Sequence, residues 1–84
     1  MLRWEILEII EQNDTVLQAM LHRPLGQTLA EADANHLSFA IGHQAHELIR
    51  AVLFDGYEPL TQAVVALPDG SIQKYWTFRL QIVT

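Results

Sequence analysis

The chain has no cysteine, which excludes a disulfide framework and a thiolate metal site. It has a single lysine, Lys74, and a net charge of −5, so it lacks the basic patch that a nucleic-acid module needs to neutralise phosphates. Its glycines, at 26, 42, 56 and 70, stand apart from one another, which leaves no glycine-rich phosphate loop. Ser38 and Ser71 are the only serines, neither within G-x-S-x-G, so nucleophilic catalysis finds no support and no catalytic residue is expected. No run of apolar residues is long enough to span a bilayer. Glu5, Glu8 and Glu11 interrupt the place where the apolar core of a signal peptide would lie. A cytoplasmic protein without cofactor, membrane or nucleic-acid partner is the expectation.

What is abundant is apolar side chain. Half of the 84 residues are hydrophobic and the mean hydropathy is +0.11. A single domain of this size buries only about 60% of its surface. The surplus points to a homodimer or to another protein partner. Charge is uneven as well: residues 1–14 carry Glu5, Glu8, Glu11 and Asp14, while 71–84 carry Lys74 and Arg79 and no acid. The two ends therefore attract each other, within one chain or between two.

Local patterns divide the chain into hairpins around a helix. Thr61–Leu67 and Ile72–Val83 read as strands joined by Pro68-Asp69-Gly70-Ser71, with Asp69-Gly70 suited to the positive φ of a tight hairpin. In the second strand Ile72, Trp76, Phe78, Leu80 and Ile82 share one face, with Lys74 as the exception, and Tyr75, Thr77 and Arg79 share the other. That strand outruns its partner, so its far end must pair elsewhere or remain an open edge.

Thr28–Phe54 reads as one long helix. Ala30, Ala34, Leu37, Ile41, Ala45, Leu48 and Val52 form its apolar stripe, Thr28-Leu29-Ala30-Glu31 a capping box, and Gly56 a left-handed cap. Gly42, inside that helix, implies a close packing contact. The N-terminal segment is compatible with a helix, but Gln12-Asn13-Asp14 is turn chemistry midway between two equal apolar runs. Two strands, Arg3–Glu11 and Thr15–Arg23, are therefore preferred. Trp4, Ile6 and Ile10 then share one face of the first strand, Leu7 and Ile9 the other. The fold class expected is a single α+β domain, 1–84, with two β-hairpins forming a small antiparallel sheet on one long helix (β-β-α-β-β); the alternative order is α-α-β-β.

Function rests on the polar side of that helix. His36, Phe39, His43, His46, Glu47, Arg50 and Phe54 combine aromatics, arginine and histidine, as protein interfaces do. With Tyr75, Thr77 and Arg79 of the last strand they are the expected partner-binding residues. The expected function is a non-enzymatic interaction module, homodimeric, with an accessory or inhibitor protein of a phage or mobile element as one specific form. The alternative is a metal- or small-ligand-binding protein using His43, His46 and Glu47 as ligands. The spacing is not H-E-x-x-H, and a third ligand such as His22 would have to come from elsewhere.

Overall fold

The computed structural model describes residues 2–24 and 32–83. Within them one antiparallel sheet is built from β1 (Leu2–Gln12), β2 (Thr15–Pro24), β3 (Ala32–His36), β4 (Glu58–Ala66) and β5 (Ile72–Val83), in the spatial order β3-β2-β1-β5-β4. A single helix, α1 (Ala45–Phe54), packs on one face. The two hairpins and the one helix are those the sequence implies, and the α-α-β-β order is excluded. The short strand β3 is an addition.

The first hairpin turns at Asn13 and Asp14, whose φ values of 52° and 62° define the type I′ geometry that matches strand twist. Asparagine and aspartate tolerate that region better than other side chains. A bulge opposite Ile10/Glu11 explains why the second run does not alternate cleanly. It places Leu17 outside the register and lets Val16, Ala19 and Leu21 all face the core. The second hairpin turns at Pro68-Asp69-Gly70, and only Gly70 has a positive φ, 88°. The Asp69 carboxylate accepts from the Ser71 N–H at 2.9 Å and holds the turn.

β5 is no sheet edge. It pairs with β1 along the whole length of β1, from Leu2 opposite Val83 to Gln12 opposite Gln73. The acid-rich and lysine-bearing ends are thus brought side by side, with Glu11 opposite Lys74.

The long helix expected over Thr28–Phe54 is corrected to α1, 10 residues and about 15 Å. The expected capping box at Thr28–Glu31 lies outside the described residues. Residues 32–36 pair with β2 instead, His36 opposite Met20. The chain then follows the outer edge of β2: the Leu37 N–H donates to Ala19, the Gly42 N–H to Val16, and the Val16 N–H to His43. These bonds satisfy an edge that a continuous helix would leave bare. Gly42 supports this path with a φ of 87°, and open space surrounds it, so its role is backbone conformation rather than close packing. Much of the apolar stripe is still used. Ala45 and Val52 are buried, and Leu37 and Leu48 pack against the core, while Ile41 is exposed and Ala40 takes the buried place.

The core lies between α1, the 3₁₀ turn Ser38–Ala40 and the face of the sheet bearing Leu7, Ile9, Val16, Leu21 and Phe78. Its helix ends in a Schellman motif. Tyr57 N–H donates to Val52 and Gly56 N–H to Leu53, with Gly56 at φ 98°. Gly56→Ala is expected to lower the unfolding free energy by about 1 kcal/mol, since only the left-handed φ is strained. The Cβ itself meets Leu80 at an ordinary 3.6 Å. Urea titration followed by circular dichroism checks the value.

Candidate functional site

Where α1 begins, the first hairpin turn reaches over and caps it. The helix's own N-cap residue, Gln44, provides no side-chain bond. Asp14 takes that role from another element. Its carbonyl accepts from the Ala45 N–H at 2.7 Å, and its Oδ1 accepts from the His46 N–H at 2.9 Å. Its Oδ2 is paired with His46 Nδ1, and the other ring nitrogen of His46 lies 3.3 Å from Glu47. A carboxylate here satisfies free N–H groups and suits the positive end of the helix dipole. The hydrogen bond to His46 holds the Asp14 carboxyl below its usual range, and the same bond raises His46 above its own.

Next to this cap a groove of about 700 Å³ opens between α1 and β5. Helical spacing places His46, Ile49, Arg50 and Leu53 along one wall. Strand alternation places Ile72, Lys74 and Trp76 along the other. Glu11 also lines it, and it is the buried charged side chain among the described residues, 6% exposed. Trp76 Nε1–H donates to Glu11 Oε1 at 2.7 Å, and the indole stacks on Phe78. Sequence reading did not single out Glu11. The signal was there, since it shares strand parity with Leu7 and Ile9, but only the pairing of β1 with β5, which sets Glu11 opposite Lys74 and diagonal to Trp76, shows what it meets.

At the far end of the same face, Tyr57 donates its hydroxyl to Glu5 at 2.9 Å, and Arg23 stands 3.4 Å from the other carboxylate oxygen. Burial, with the bond to Glu5, pushes the Tyr57 phenol up to about 12.

The expected partner-binding residues do not form one surface. His46, Glu47, Arg50 and Phe54 lie on α1, on one side of the sheet. Tyr75, Thr77 and Arg79 pair with Ile10, Glu8 and Ile6 and share the opposite, open face, where His36 also stands opposite Met20. Phe39 and His43 precede α1 along the edge of β2 and are exposed. The open face also carries Trp4, with the Arg79 guanidinium 4.8 Å from its ring centroid.

The ligand set His43, His46 and Glu47 loses its helical geometry, because His43 lies before the helix. His22 is bonded to Glu8 at 3.1 Å on the open face, across the sheet from His46. Among the described residues no three histidine or acidic side chains converge as a metal site. No described helix is long and apolar enough to cross a membrane.

No family model, curated protein or solved structure matches this chain.

Two outcomes are expected. The depressed Asp14 contributes stability that is present above pH 3.8 and lost as pH falls through its folded value. The raised His46 contributes stability present below pH 6.5 and lost as pH rises through its folded value. Asp14→Asn keeps a left-handed-tolerant residue and one acceptor but removes the charge. Its deficit in melting temperature relative to wild type should therefore peak near pH 5 and shrink toward both pH extremes. Trp76→Phe should cost about 1–3 kcal/mol in urea unfolding, because it removes the donor to a buried carboxylate.

Proposed function

We propose that this chain is a non-enzymatic protein-association module that works as a homodimer, joined through the outer edge of β4. One observation carries the reading. β4 is a sheet edge, and every one of its 9 residues is exposed. The helix is too short to cover it from one side, and nothing described covers it from the other. Leu60, Val64 and Val65 stand in the open, at 46%, 60% and 41% exposure. The strand carries no lysine or arginine, and its one charge, Glu58, is at the end. Edges that stay monomeric are ordinarily blunted by charge, proline or a covering element. Here Pro59 and the bulge at Leu60 protect only the beginning, and 61–66 is a regular, uncharged edge.

A second copy fits that edge by symmetry. Antiparallel pairing about a two-fold axis sets 61–66, which holds no charged residue, against its own copy without juxtaposing like charges. Two five-stranded sheets then become one. The shape is elongated, 45 × 26 × 22 Å, and its radius of gyration of 13.7 Å exceeds the roughly 12 Å of a compact domain of this length. A cytoplasmic setting belongs to the same reading, and the sequence, with no cysteine to form a disulfide, is compatible with it.

Light scattering behind size exclusion should show a dimer at high micromolar concentration. Val65→Lys, on the open face of the edge, should weaken dimerisation at least about tenfold while the circular dichroism spectrum is unchanged. A strictly monomeric wild-type protein would overturn the reading.

A further inference from the structure

We propose that the groove between α1 and β5 is a binding site for a free amino acid with a large apolar side chain. Its volume of about 700 Å³ falls in the range of small-molecule sites. Most of its lining is hydrocarbon and indole, from Ile49, Leu53, Ile72 and Trp76. The polar groups set among them are of both signs, and their states differ.

Glu11 is more than nine-tenths buried and uses one oxygen to accept from Trp76. Its second oxygen has no protein donor among the described residues. A carboxylate removed from water with a single hydrogen bond calls for another donor, best a charged one. Asp14 is the other acid of the groove, and both of its oxygens are engaged by His46. The acid with a free acceptor oxygen is therefore Glu11.

The cations are arranged in the opposite sense. Arg23 and Arg79 are matched to Glu5 and Glu58. Arg50 and Lys74, on the two walls of the groove, form no ion pair among the described residues, although Lys74 stands directly opposite Glu11 on the same face of the strand pair. A simple anion entering the groove meets Glu11, and a simple cation meets Arg50 and Lys74. A zwitterion satisfies both: its ammonium donates to Glu11, and its carboxylate accepts from Lys74 or Arg50. The hydrocarbon wall then takes the side chain. An apolar α-amino acid has these three parts on one carbon.

The test is a titration of isotopically labelled protein with L-phenylalanine, read from amide chemical shifts. Parallel titrations use N-acetyl-L-phenylalanine, which lacks the ammonium, and L-phenylalaninamide, which lacks the carboxylate. Saturable shifts confined to α1, the start of β5 and the end of β1 are expected, with each analogue at least about tenfold weaker, one charged hydrogen bond being lost. Glu11→Gln should weaken phenylalanine by a similar factor. Lys74→Met, at an exposed position that leaves the core alone, should reduce the preference for phenylalanine over its amide. The absence of saturable shifts up to the solubility limit, or equal binding of all three compounds, would overturn the proposal. The site lies within one chain, so Val65→Lys should bind phenylalanine as wild type does; loss of binding in that variant would also overturn it. A monomeric wild-type protein would overturn the dimer and leave the groove untouched.

Discussion

Asp14 is where the sheet and the helix are joined. It occupies a left-handed position in the first hairpin turn, and from there its carbonyl and carboxylate take up the first two N–H groups of α1. The helix start is thereby tied to the end of β1 rather than to its own preceding residue. That constraint sets the rest. It brings the path of 37–44 along the outer edge of β2, it directs Ala45, Leu48 and Val52 onto the core, and it leaves α1 beginning beside Trp76 and Glu11. The groove exists because the helix is held at one end of the sheet by a turn.

A short helix on a wide sheet has a second consequence. About 15 Å of helix covers the central strands and stops before β4. The sheet remains open on its far face as well, where Trp4, Ile6, Ile10, Met20 and Tyr75 lie half-buried or exposed among paired polar groups. The apolar surplus of the composition is therefore visible in the structure as location. It sits at the β4 edge, on the open face, and at Phe39 and Phe54, which are 72% and 90% exposed. The edge differs from the other two because it adds unpaired backbone N–H and C=O groups to the apolar area, and that combination favours a strand of another copy.

Polar groups that the fold buries are treated differently at the two ends of the helix-facing side. Glu5 is met by both Tyr57 and Arg23 and is structurally complete. Glu11 is met by Trp76 alone, although it is the more deeply buried. The contrast within one strand is what marks the groove end as chemically open and the other end as closed.

Much of this fold was legible in the residues. Asn13-Asp14 and Asp69-Gly70 are turn signals whose φ preferences are local, Gly56 is a helix stop for the same reason, and the alternation of Ile72–Val83 gives a strand register that any partner must respect. The long helix was not there to be read. A spacing of three and four apolar residues over 30–52 satisfies a helix, but it satisfies equally a strand, a turn and a short helix whose apolar residues reach the same core. The choice between them was made by β2, whose free edge offered Ala19 and Val16 as hydrogen-bond partners. The candidate sites followed the same division. Residue types and local periodicity identified groups suited to contact. Which of them share a face, and that Glu11 meets Trp76 beside two cations without ion pairs, depended on the pairing of β1 with β5, a contact between the two ends of the chain that no local pattern encodes.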